Sequence, residues 1–294
     1  MPVCISSGTI LFFFSETFEM FATISKSILK YNHKFLTGTG TKNLMSTNHS
    51  GRCVSKRLFF LRHGQATHNP RAEEAKDNGC SQETFFDLMK EDDEFDAPLT
   101  DLGRNQALGG GSKHRERLDN IDLLVSSPLS RAIVTADLSI KSHKKKIAVD
   151  NFREISGLLL NARRRSRKEL ESLNPSWDFS NVSPHDDLWK PEALEDVMEC
   201  SERGYQGLLW VASRSENNIL VVTHGGLLRF CMEMHPKINV KDQRDEKSRR
   251  FGNCELREYE MTWQLGTTPE ESTIQDEQNI FDCRPIITLT EILR

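Results

Sequence analysis

The sequence predicts one α/β domain: three layers, α/β/α, around a mostly parallel central sheet, with a ligand site at the C-terminal ends of the strands. Three observations predict it. Short, mostly apolar runs recur along the chain, as in strands buried on both faces. Amphipathic helical patterns separate them, which is the strand–helix alternation of a parallel sheet. Lastly, the runs lead into histidine, arginine or glycine turns, and in open α/β sheets ligands bind at that edge.

The strand candidates are Arg57–Leu61, Ile121–Val125, Ile147–Val149 and Ile219–Val222, with two more near the C-terminus, Asn253–Met261 and Pro285–Leu293. Among the helices, Thr100 is placed to cap a helix over Asp101–Arg117, which the run Gly109-Gly110-Gly111 should loosen. Ser127-Pro128 suits an N-cap and first helical position for Leu129–Lys141. Leu194, Val197, Met198, Tyr205, Leu208, Leu209 and Ala212 share one face of a further helix of some twenty residues.

The 294 residues divide into an N-terminal extension over 1–55 and the α/β domain over 56–294. From Met20 to Arg71 there is no Asp or Glu, while lysines, serines and threonines are frequent. An acid-free, basic, hydroxyl-rich stretch suits either a disordered extension or an organelle transit peptide. The expected location is therefore cytoplasmic, with a mitochondrial or other organellar address as the alternative. Near the other end, Thr267–Asp282 has five acids and no base, as in a solvated loop.

Composition removes several classes. The formal charge of −4, from 39 basic and 43 acidic side chains, gives no net attraction to nucleic acid or acidic membrane. No run of about 18 apolar residues is available for a membrane span. Seven scattered cysteines without a C-x-x-C pair read as reduced thiols, not a zinc site. No carboxylate cluster stands ready for Mg²⁺ either, so no metal is implied. The oligomeric state is left open.

The chemistry lies beyond the strand candidates. RLFFL is followed by Arg62-His63-Gly64, IDLLV by Ser-Ser-Pro-Leu-Ser-Arg131, IAV by Asp-Asn-Phe-Arg-Glu154, and ILVV by Thr223-His224-Gly225-Gly226. Residues more than 160 positions apart could thus meet in one cationic pocket suited to a phosphate monoester. Arginine forks match phosphate oxygens and stay charged. A neutral imidazole can attack phosphorus, and a phosphohistidine splits the transfer into two easier steps. A second histidine would stabilise the transferring charge, and Glu154 could protonate the leaving oxygen.

These segments, together with Pro98-Leu99-Thr100-Asp101-Leu102-Gly103, resemble the histidine phosphatase superfamily, in particular its phosphoglycerate-mutase-like branch and that branch's plant and fungal members. The pattern R-H-G-x-x-x-x-N is complete from Arg62 to Asn69. The resemblance implies that His63 is the phosphorylated nucleophile, that Arg62, Arg131 and His224 complete the phosphate pocket, and that Glu154 is the proton donor. It adds Asn69 and Gly225 as substrate contacts.

The acid phosphatase branch fits less well, because His224 is followed by Gly225 and not by an acid; His185-Asp186 sits in a polar stretch that reads as loop. After Glu154 the basic run Arg163–Lys168 reads either as a cationic lip, with Arg163 and Arg164 as substrate contacts, or as a solvated helix start. The segment from Trp177 to Pro191 reads either as a lid or as packing around its two tryptophans.

The expected activity is hydrolysis of a small phosphorylated metabolite, with no cofactor. The alternative is a phosphoglycerate mutase, which would need 2,3-bisphosphoglycerate as primer. Features typical of glycolytic mutases are poorly matched after Glu154. A non-catalytic interaction protein of the same fold predicts loss of a pocket residue, yet all five are present.

Overall fold

In the computed structural model the described residues are 53–91, 94–140, 145–241, 250–264 and 284–292. The expected extension over 1–55 lies outside them except for Cys53–Ser55, which open the first strand, and so does the acidic stretch 267–282.

Eight strands form one sheet: β1 Cys53–Arg62, β2 Leu123–Ser126, β3 Lys146–Val149, β4 Asp178–Asn181, β5 Asn218–Thr223, β6 Ile238–Lys241, β7 Leu256–Gln264 and β8 Ile287–Glu291. Their order is β4-β3-β2-β5-β1-β7-β8-β6. The first five run parallel, β7 is antiparallel to both its neighbours, and β8 pairs parallel with β6. The helices are α1 Asn69–Asp77, α2 Gln82–Lys90, α3 Asp101–Lys113, α4 Arg115–Leu118, α5 Ser130–Ser139, α6 Arg167–Leu173, α7 Val197–Ala212 and α8 Gly225–Met234.

The apolar runs divide strictly by alternation, because successive side chains of a strand point to opposite faces. Leu58, Phe60, Val125, Ile219 and Val221 join the core beneath α7 and α8, with Tyr205, Leu208 and Leu227. Phe59, Leu61, Leu124, Leu220 and Val222 join a second core with Ala132, Ile133 and Ala136 of α5. Two apolar faces covered by helices make the three layers, and they explain why these strands carry no polar alternation.

Some boundaries differ from the sequence reading. The Ser127-Pro128 pair does not cap α5: the N-cap position is Leu129, which offers no side-chain bond. The helix end is satisfied from elsewhere, by Asp96, whose Oδ1 accepts the Ser130 N–H at 2.9 Å. The glycine run does not break α3, which continues to Lys113 with Thr100 as its cap. Gly111 serves contact instead: a Cβ there would lie 2.3 Å from the Ser139 carbonyl oxygen, so only glycine lets α3 approach α5 this closely. The helix does end early, at His114, before the short α4.

Candidate active site

Four parallel strands deliver the site. The end of β1 supplies Arg62 and His63, the turn after β2 supplies Ser127 and Arg131, the loop after β3 supplies Glu154, and the end of β5 supplies His224 and Gly225. The pairing Arg62↔Thr223 in β1–β5 sets the two histidines side by side. Their ring centroids are 4.9 Å apart. Both are buried, as is Arg131.

The partners of His63 and His68 fix the tautomer of each ring. Nδ1 of His63 lies 2.6 Å from the Gly64 carbonyl oxygen, so it carries the proton and Nε2 keeps its lone pair. Nε2 of His224 lies 2.8 Å from Ser127 Oγ. That oxygen also accepts the Leu129 N–H, and it keeps both its own proton and a second lone pair for His224. His68, 6.4 Å from His63 between centroids, accepts from Asn69 Nδ2 on Nε2, which again leaves the proton on Nδ1.

All three imidazoles are held well below the ordinary histidine value. Burial is the largest cause, and the positive charge of Arg131 comes next. They are therefore neutral at neutral pH. Burial also pushes the Arg131 guanidinium down to about 10, opposed by Glu154 and Asp96, which still leaves it charged.

Buried polar atoms without protein partners concentrate here. Arg62 Nε, Arg131 Nε and Nη2, His68 Nδ1, His224 Nδ1 and Asn161 Nδ2 have no hydrogen-bond partner among the described residues. Leaving such groups unmet costs about 1–3 kcal/mol each, so a concentration of them demands an acceptor. The set includes two guanidinium groups and an amide N–H, which suit an anionic acceptor. Of its members His68 and Asn161 had no assigned role in the sequence. His68 lies inside the R-H-G-x-x-x-x-N stretch, whereas Asn161 sits in a short 3₁₀ turn, Leu160–Ala162, within a loop that gives no local signal. That loop is tied to the site by Arg131 Nη1, which donates to the Asn161 carbonyl oxygen at 2.7 Å.

The helix ends are not free anion sites. Gly226 and Leu227 N–H, at the start of α8, donate to the Glu154 carboxylate at 3.1 and 2.9 Å. A Cβ on residue 226 would lie 2.3 Å from Glu154 Oε1, so glycine at this position is what admits the carboxylate. The N-terminus of α5 is occupied by Asp96, as above. The anion pocket is thus built from side chains.

Asn69 is placed as a brace of the loop. Its Oδ1 accepts the Ala66 N–H at 2.9 Å while its Nδ2 holds His68. Gly225 lies against Arg62, where an added Cβ would come 3.2 Å from Nε. Arg163 is exposed, with its guanidinium 4.7 Å from the Trp189 ring centroid and 5.8 Å from that of Phe95.

Arg164 does not line the site. It is buried, pairs with Asp150 at 2.9 Å, and donates to the carbonyls of Arg165, Ser183 and His185. All three guanidinium nitrogens are engaged, on Asp150, on the Arg165 carbonyl and on the 183–186 loop, so the expected cationic lip does not include it. Asp186 lies in that loop and pairs with buried Arg153 at 2.6 Å. Trp177 is a core side chain that donates to Asp137, and Trp189 donates to the Leu159 carbonyl at 3.0 Å.

The model of the histidine phosphatase superfamily (branch 1) matches residues 58–267, a span that holds every residue of this constellation. The chain belongs to that superfamily. An Arabidopsis thaliana phosphoglycerate mutase-like protein is 30% identical over 252 residues, covering 74% of this chain and 89% of that protein. Another from the same plant, phosphoglycerate mutase-like protein 1, is 29% identical over 243 residues, covering 69% and 79%. Among solved structures, the mycobacterial glucosyl-3-phosphoglycerate phosphatase complexed with VO3 is similar at 21% identity and TM-score 0.41, covering 70% of this chain and 93% of that one. No helix among the described residues is long and apolar enough to cross a membrane.

Proposed function

We propose that this member of the superfamily is a phosphomonoester hydrolase that works through a phosphohistidine on a small phosphorylated metabolite. The observation that carries this reading is the ring of unpartnered, buried donors around a neutral imidazole whose Nε2 lone pair is free. Neutral His63 is a nucleophile, while the donors of Arg62, Arg131, His68 and His224 wait for oxygens that gain charge in the transition state.

In the first step the Nε2 lone pair of His63 forms a bond to phosphorus and the bond to the ester oxygen breaks. The leaving oxygen takes a proton from Glu154, which stands at the α8 N-terminus between the β3 and β5 loops. In the second step water attacks phosphorus and gives its proton to Glu154. The P–N bond breaks, and inorganic phosphate and neutral His63 are released. Gly225 lets Arg62 lie close beside the start of α8, and Asn69 shapes the loop that carries His63. Arg163, held over Trp189, is the remaining candidate contact for the rest of the substrate.

Incubation with an aryl phosphate should leave acid-labile phosphate on the protein, and His63→Ala should abolish both the label and hydrolysis. Full hydrolysis by that variant would overturn the mechanism. Primed conversion of 3-phosphoglycerate to 2-phosphoglycerate faster than hydrolysis of any ester would instead favour a mutase.

A further inference from the structure

The Arg62 guanidinium is a junction of three segments. Nη2 pairs with Glu73 of α1 at 3.0 Å, Nη1 donates to the Phe251 carbonyl oxygen at 2.9 Å, and Nε faces Gly225 of α8. Each contact brings a basic residue with it. Lys76 is one turn beyond Glu73 on the same face of α1, Arg250 directly precedes Phe251, and Arg229 is one turn beyond Gly225 on α8.

Glu73 is engaged by Arg62, and Arg229 pairs with Glu233 at 3.3 Å. Lys76 and Arg250 have no carboxylate partner among the described residues, and Lys76 lies 5.6 Å from the Phe85 ring centroid. Both are exposed. The Lys76 ammonium is held below its ordinary range by partial burial, then by the positive charges of Arg250, Arg62 and Arg229, with Glu73 opposing. Like charges gathered at the outer edge of an anion pocket cost stability, and a second negative group would relieve that cost.

We infer that Lys76, Arg229 and Arg250 form an outer anion subsite beside Arg62, so that the substrate is a phosphate ester whose far end carries a second anionic group, a carboxylate or another phosphate. This rests on the phosphomonoesterase reading, and it places the recognition of the substrate's tail on α1, α8 and the segment before β7. The basic run after Glu154 is not needed for it, since Arg164 is spent on Asp150.

Three esters on one carbon frame test it: propyl phosphate, 3-(phosphonooxy)propanoate and propane-1,3-diyl bisphosphate. Turnover is measured as kcat/KM and binding by calorimetry, on the full chain. The two doubly anionic esters should be preferred by about tenfold, and the double variant Lys76→Ala/Arg250→Ala should erase that preference. Lys168→Ala, which removes an exposed charge from α6, should retain it.

Equal handling of all three esters, or a preference that survives the double variant, would overturn the subsite. A parallel loss for all three would overturn it too, since that is general steering. The two readings separate cleanly. Hydrolysis of propyl phosphate without preference removes the subsite and keeps the hydrolase. A binding preference that is lost in the double variant, with no ester hydrolysed, keeps the subsite and removes the hydrolase.

Discussion

Nδ1 of His63 hydrogen-bonds the carbonyl oxygen of Gly64 at 2.6 Å, and this fixes which nitrogen can react. Burial first, then Arg131 and Arg62, hold His63 well below the ordinary histidine value. Lowered values mean that protons bind more readily to the unfolded chain. The stability gained by keeping His63, His68 and His224 neutral is therefore complete above about pH 6.5 and is lost as pH falls toward their folded values. In ¹⁵N-histidine NMR these rings should titrate well below the ordinary histidine value, while the urea midpoint declines below about pH 6.5. A His63 ring that titrates at its unperturbed value would contradict both.

The Glu154–Gly226 contact supplies a second expectation. Gly226→Ala puts a methyl group where Oε1 now lies, 2.3 Å from the ideal Cβ, so the carboxylate must move. A displaced proton donor should slow alkyl phosphates by about a hundredfold and activated aryl phosphates far less. Kinetics on the two ester classes decide it: equal losses would mean that Glu154 is not the donor.

How far the sequence reveals this molecule depends on burial. β1, β2, β3 and β5 are legible because both their faces are covered, which makes them apolar throughout. Strand β4 has one buried residue in four, Phe179, and it lies at one edge of the sheet; β6, likewise with only Ile238 buried, lies at the other. Neither was expected, since an edge strand needs little apolar pattern to form. In the site, His63, His224, Arg62 and Arg131 follow strand ends and are visible by position. Asn161 and Asp96 reach the site through loops that follow no period. Ser127 was noticed for the wrong reason: a Ser-Pro pair resembles a cap, but here its hydroxyl serves His224 and Asp96 caps the helix.

Asp96 anchors Ser130, the residue before Arg131. It is fully buried at a positive φ of 49°, and its carboxylate holds the Ser130 N–H and hydroxyl and faces Arg165. Burial pushes its carboxyl up, opposed by the Ser130 bonds and by Arg131 and Arg165. Asn tolerates the left-handed backbone, so Asp96→Asn keeps the loop and removes the charge together with one of the two acceptors that serve Ser130. We expect kcat/KM to fall about tenfold or more for every ester, and inorganic phosphate to stabilise the fold less against urea. Unchanged phosphate stabilisation would show that Arg131 needs no such support.

Arg164 gives the opposite pattern. It is buried, and removing it leaves Asp150 without its ion pair and three carbonyl oxygens without a donor. Breaking one side of a buried pair costs about 3–5 kcal/mol, somewhat less here because Asp150 retains a route to water. Arg164→Ala should therefore lower the urea midpoint strongly, and the protein that remains folded should keep its KM for phosphate esters. Arg164→Lys should recover only part of the stability, since one ammonium cannot replace a fork that reaches a carboxylate and three carbonyls. A raised KM at unchanged stability would return Arg164 to the substrate site.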